Sequence, residues 1–183
     1  MKYGGQKKSK IHQEIRLIKY ELHSQLLLIW YSLFTLGASI LTASPTTLAK
    51  FGLDANSIDP NILIIFSILT LVMSCFVTSL NFKERIIKIK NCYEDLMKIQ
   101  TDSPSAYNEY SAILAKCENH TERDYLSAKF NEVYSTAHNL RNSKLDRQLT
   151  CYEHFKFFRN LITYYIKLFF LYTLPFVIIF LIK

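Results

Sequence analysis

The sequence predicts an all-α integral membrane protein, and three observations carry that prediction. Two stretches without an ionised residue, 22–49 and 60–82, lie only ten residues apart. Each exceeds the ~20 apolar residues that an α-helix needs to cross the hydrocarbon core. Water cannot satisfy backbone groups there, so a lone segment can cross only as a helix. Elsewhere apolar residues recur at helical spacing, and no segment alternates with the period of a strand.

Half of the 183 residues are hydrophobic and 20% are charged, an apolar balance for a soluble domain of this size. The net charge of +7 is unevenly placed. Lys2, Lys7, Lys8, Lys10, Arg16 and Lys19 precede the first stretch, and Lys83, Arg85, Lys88 and Lys90 follow the second. Basic residues beside spans stay on the cytoplasmic side. The expected protein is therefore a multi-pass protein of the cytoplasmic membrane, with its amino terminus and middle region in the cytoplasm. Residues 83–159 hold thirteen bases against eleven acids. The excess charge thus faces lipid headgroups, and direct nucleic-acid binding is not expected. The amino terminus lacks the short hydrophobic run of a signal peptide. Cys75 falls in a span and Cys92, Cys117 and Cys151 fall in the cytoplasm, so reduced thiols are expected.

Residues 1–10 read as a disordered basic leader. Ile11, Ile15, Ile18, Leu22 and Leu26 then share one helical face, which predicts a single long helix from Ile11 to Thr42, ended by Pro45. Trp30 and Tyr31 are placed in the headgroup zone that such rings favour. The second span continues through Ile86, Ile89, Tyr93 and Leu96, so residues 11–100 form a two-span helical hairpin with cytoplasmic extensions. Residues 101–160 form a cytoplasmic helical bundle or coiled coil. Ser103-Pro104 opens its first helix, and Thr121 with Asp124 forms a capping box. Leu126, Phe130, Val133, Ala137 and Leu140 follow in a/d alternation and make a candidate oligomer seam. Residues 161–183 form a third membrane helix, crossing or re-entrant, in which Lys167 snorkels to the interface.

The two spans share a further feature. Ser32, Thr35, Ser39 and Thr42 in the first, and Ser67, Thr70, Ser74, Thr78 and Asn81 in the second, each fall within an arc of about 80°. Two causes explain such stripes. Small hydroxyl residues let helices pack closely, and each hydroxyl can bond the carbonyl four residues back. Alternatively, the stripes line a water-filled path when several copies assemble, with little charge selectivity because no ionised residue is present.

No catalytic constellation stands out. The spacings Cys117-x-x-His120 and Cys151-x-x-His154 lie on helices without a ligand knuckle, so no metal is expected. No phosphate loop, metalloprotease motif or nucleophile elbow occurs, and no cofactor is expected. Glu118, Glu122, Asp124 and Glu132 interleave with Lys and Arg as on a solvated helix face. The sequence predicts no enzyme.

The amphipathic lead-in 11–22, the text Trp-Tyr-Ser-Leu-Phe-Thr-Leu-Gly-Ala-Ser-Ile-Leu over 30–41, and the basic exit Phe82-Lys-Glu-Arg-Ile-Ile together resemble the SLATT family. These are the SMODS- and SLOG-associating two-transmembrane effectors of bacterial conflict systems. The third hydrophobic segment departs from a two-span plan and marks a subfamily with an added C-terminal helix. The resemblance implies an anti-phage membrane effector that assembles as a homo-oligomer and forms a pore, killing or arresting the infected cell. It also implies a sensor encoded nearby, either a nucleotide-signalling enzyme or a reverse transcriptase. A non-conducting scaffold that recruits a soluble partner through its cytoplasmic helices is the alternative.

Overall fold

Residues 4–43 contain no proline, and they fold as one forty-residue helix, α1 (Gly4–Ala43). The computed structural model describes residues 4–43, 60–99, 106–136 and 149–182. Five more helices follow: α2 (Pro60–Ser79), α3 (Phe82–Lys98), α4 (Ala106–Lys116), α5 (Glu122–Ser135) and α6 (Cys151–Ile182). Among the described residues every regular element is an α-helix. Two helical stretches, Leu63–Lys98 and Cys151–Ile178, are long enough to cross a membrane, and each holds an eighteen-residue run apolar enough to do so, of mean hydropathy 2.4 and 1.7 respectively. Residues 22–43 of the first charge-free stretch form the second half of α1.

The chain divides into two compact units: Met1–Glu21 with Phe82–Thr163, and Leu22–Asn81 with Tyr164–Lys183. These bounds cut across the domain division expected from the sequence, because α1 and α6 each contribute to both units. The first unit holds nearly all the charge. Cys92, Leu96 and Tyr110 form its buried cluster, with Ile99, Ile113, Leu114 and Cys117 packed around it.

From Gly4 onward the expected leader is helical rather than disordered. Helix α1 starts at Gly4, and Ser9 and Lys10 are almost fully buried. The Lys10 ammonium donates to the Glu118 carbonyl, and Lys8 pairs with Glu132 at 2.6 Å. Partners distant in sequence hold these residues, which a reading of local composition does not register.

The four carboxylates expected on a solvated face are paired as well. The Arg16 guanidinium donates to both oxygens of Asp124, at 2.7 and 3.0 Å. Asp124 is 1% exposed, and its Oδ2 also accepts from the Thr121 N–H and hydroxyl at 2.9 and 2.8 Å, which realises the predicted box. Glu118 pairs with Arg85, Glu132 with Lys8, and Glu122 with Lys156. Each partner lies on a different element. Glu118, Glu122 and Glu132 keep exposed side chains while Asp124 is buried, a difference that helical spacing alone does not carry.

Two more expectations are corrected. The helix of the second span ends at Ser79, before α3 begins at Phe82. Asn81 adopts φ 45°, a left-handed conformation that asparagine tolerates better than most residues. The Leu80 and Asn81 N–H groups bond the carbonyls of Val77 and Thr78, three residues back, closing α2. Cys92 and Cys117 are joined in a disulfide with Cα atoms 6.0 Å apart, not held as separate thiols. Packing of α3 on α4 around Leu96 and Tyr110 brings them together. Ser103-Pro104, Pro45 and Asn142-Ser143 lie outside the described residues.

Candidate functional site

In the second unit the described residues carry one formal charge, Lys167, so its chemistry is that of hydroxyls, rings and backbone. Leu27, Tyr31 and Ala38 on α1 are buried and point within about 40° of one another. Phe34 meets Phe66 of α2 and Phe176 of α6 at ring-centroid distances of 5.2 and 5.3 Å. Phe66 is fully buried. Close aromatic pairing of this kind adds ~0.5–1.5 kcal/mol to the burial of each ring.

The hydroxyl stripes sit about 80° round each helix from these buried residues. On α1, Ser32 and Ser39 are exposed and Thr35 and Thr42 half-buried; on α2, Ser67 and Thr78 are exposed and Thr70 and Ser74 half-buried. The stripes thus flank the surfaces that the unit uses for its own packing, each with one edge half-buried and the other exposed. Their hydrogen bonds are local. Thr35 donates to the Tyr31 carbonyl, Ser67 to Leu63, Thr70 to Phe66 and Thr78 to Ser74, each at 2.8–2.9 Å. Thr42 donates to Ala38 and Ser39. Each of these hydroxyls therefore has an acceptor even where no water reaches it. Asn81 has a separate role: it is exposed and closes α2.

The sequence reading missed the contacts that Trp30, Tyr31 and Pro175 make. Proline has no N–H, so within a helix it leaves the carbonyl four residues back without a donor. For Pro175 that carbonyl belongs to Leu171. The Tyr31 hydroxyl donates to it at 2.8 Å, and Trp30 Nε1 donates to the neighbouring Tyr172 carbonyl at 3.1 Å. Tyr31 is 1% exposed, so it is an internal clasp and not a headgroup anchor. Nearer the start of the unit, His23 Nδ1 and the Tyr164 hydroxyl lie 3.1 Å apart. A proline in an apolar segment, with a phenol on another apolar segment, is the signal that could have found this pairing.

The candidate oligomer seam is used within the chain. Leu126 and Val133 are buried in the first unit. Phe130 stacks on Phe157 of α6, with centroids 4.1 Å apart and planes at 7°, and meets Phe158 and His154 edge-on. Ala137 and Leu140 lie outside the described residues. Lys129 adds a clasp to the same α6 segment, donating to both oxygens of Glu153 at 2.7 and 2.8 Å. That ammonium, together with the Thr150 N–H, holds the Glu153 carboxyl down at about 2.

At the lead-in of α1, Gln13 donates to the Asn119 carbonyl at 3.3 Å. Burial holds the His12 and His120 imidazoles below their ordinary range, and it lowers the Lys10 ammonium although Glu118 and Asp124 oppose the shift. Tyr20 joins α1 to two other elements: its hydroxyl accepts from Arg123 at 2.9 Å, and its ring meets Phe82 at 6.4 Å. Of the two Cys/His spacings, Cys117 is bonded to Cys92, and His154 packs against Phe130 and Tyr134. Among the described residues no three His, Cys, Asp or Glu side chains gather as metal ligands would.

No curated protein and no solved structure matches the chain. The family model for SMODS and SLOG-associating 2TM effector domain family 5 matches residues 6–182. That match takes in both units and the six described helices almost to their ends, and the chain therefore belongs to the SLATT effector domains, family 5.

Proposed function

We propose that the protein is the membrane-permeabilising effector of a bacterial anti-phage system. Copies of the chain assemble in the cytoplasmic membrane, with the amino terminus and the charged unit in the cytoplasm. The spanning helices of the second unit then open a path when a partner sensor encoded nearby signals. The role is one of assembly and opening, without a catalytic step. Membership of an effector family supports it at the level of class, and the basic residues flanking the spans support the orientation. In this reading the third apolar helix, α6, also crosses, and the packing of Phe176 and Tyr172 on α1 supports placing it beside the first span.

The observation that carries this reading is the exposure of the two hydroxyl stripes. Ser32, Ser39, Ser67 and Thr78 lie outside the unit's own packing face, on helical stretches that carry no ionised residue. A surface of this kind suits a neighbouring copy or water, because small hydroxyl residues allow close helix approach and can also be wetted. An uncharged hydroxyl wall passes small ions of either sign.

The test is inducible expression with the cognate trigger while membrane potential is recorded. Collapse of the potential at the onset of growth arrest is the expected result. Ser39→Leu with Ser74→Leu should abolish the collapse while leaving the protein in the membrane. Arrest at full polarisation, or full activity of the double variant, would favour the non-conducting scaffold instead.

A further inference from the structure

We propose that Cys92 and Cys117 are a reversible redox site, closed by a low-molecular-weight disulfide, that latches the Cys117–Thr121 segment of the first unit. The inference concerns that unit alone and is independent of whether the membrane helices conduct.

The pair is built for closure. Its Cα separation of 6.0 Å is the usual one for a disulfide, and both residues belong to one packed cluster with Leu96 and Tyr110. Cys92 is 6% exposed while Cys117 is half-buried just past the end of α4. One sulfur is therefore reachable by a small reactant and the other is held behind it. The remaining cysteines, Cys75 and Cys151, are both exposed and unpaired.

The residues after Cys117 give the bond a consequence. Glu118 accepts from Lys10 through its carbonyl and from Arg85 through its carboxylate. The Asn119 carbonyl accepts from Gln13, and Thr121 opens the box on Asp124 that Arg16 grips. Much of the polar hold on the α1 lead-in is thus delivered by a five-residue segment that lies between α4 and α5, outside either helix. Closing the bond ties that segment covalently to α3. With free thiols it is tied by packing and by these polar contacts.

The chemistry is two successive exchanges. The Cys117 thiolate attacks one sulfur of the small disulfide, forming a mixed disulfide and releasing one thiolate. The Cys92 thiolate then attacks Cys117 Sγ, closing the internal bond and releasing the second. The two protons given up by the cysteines end on the two released thiols, so the protein loses two electrons and the reactant gains them. In a reducing cytoplasm such bonds are transient and sensing in character rather than permanent.

The experiment uses the full chain in detergent, reduced and then equilibrated with oxidised glutathione. Free thiols are capped with N-ethylmaleimide and located by peptide mass spectrometry, and limited trypsin cleavage is followed at Lys116, which is exposed. Cys92 and Cys117 should become linked and uncapped, should reopen with reduced glutathione, and cleavage at Lys116 should slow about tenfold when the bond closes. Cys117→Ser should erase the difference between the two conditions. If that variant folds poorly, the wild-type chain compared in its two redox states still decides the matter. Thiols that stay fully capped, a bond that native reduction cannot open, or a closed bond with unchanged cleavage would each overturn the proposal.

Discussion

The hydroxyl of Tyr31 donates to the carbonyl of Leu171, the one backbone acceptor in α6 that Pro175 deprives of its helical donor. A proline inside a membrane segment is tolerated where neighbouring groups satisfy the carbonyl it frees. Here the neighbour is a phenol of α1, 140 residues away in the chain. This contact ties the third apolar helix to the first, and it yields a sharp expectation. Tyr31→Phe should destabilise the protein by about 1–3 kcal/mol, the cost of a buried unpaired carbonyl. Pro175→Ala restores an N–H to Leu171, so Tyr31→Phe should cost less in that background. Thermal unfolding of the four proteins in detergent measures the coupling.

The Arg16–Asp124 pair holds the most buried carboxylate of the ion pairs described in the first unit. Its two side chains are 18% and 1% exposed. Removing one member of a buried pair leaves the other uncompensated, at about 3–5 kcal/mol. Arg16→Met should therefore unfold the first unit at markedly lower temperature, read by circular dichroism, while Lys88→Met at the exposed Lys88–Glu84 pair should change it little.

Asn81 marks the break between α2 and α3. Its φ of 45° is open to glycine without strain. Asn81→Gly should leave stability near its starting value, whereas Asn81→Val should lower it by about 1–2 kcal/mol. Unfolding midpoints in detergent separate the two.

Glu153 gives the protein an acid-sensitive clasp. Its carboxyl is held at about 2 against an ordinary 4.5, chiefly by the Lys129 ammonium and next by the Thr150 N–H. A carboxylate lowered by folding adds stability above its ordinary value and loses it as pH falls toward the folded one. Stability should therefore decline between pH 4.5 and about 2. Lys129→Met should flatten that decline, as followed by the pH dependence of the unfolding midpoint.

Helical class, apolar spans and the Thr121–Asp124 box were legible in the sequence, because each depends on residues within one or two turns of each other. The family likeness was legible for the same reason. Partners more than a hundred residues apart were not. Arg16 read as one of the bases beside the first span, Asp124 as part of a solvated face, and Lys8 and Lys10 as a loose leader, until α1 and α5 came together. Tyr31 read as a headgroup residue until Pro175 created an acceptor for it.

Local spacing by itself determined that this chain folds as helices and which of them can enter lipid, since hydropathy and hydrogen bonding within a helix are settled residue by residue. Only the tertiary structure decided which charges pair, which cysteines meet and which faces stay open. Those outcomes depend on which helix lies beside which, and identical helical spacing is compatible with many such arrangements.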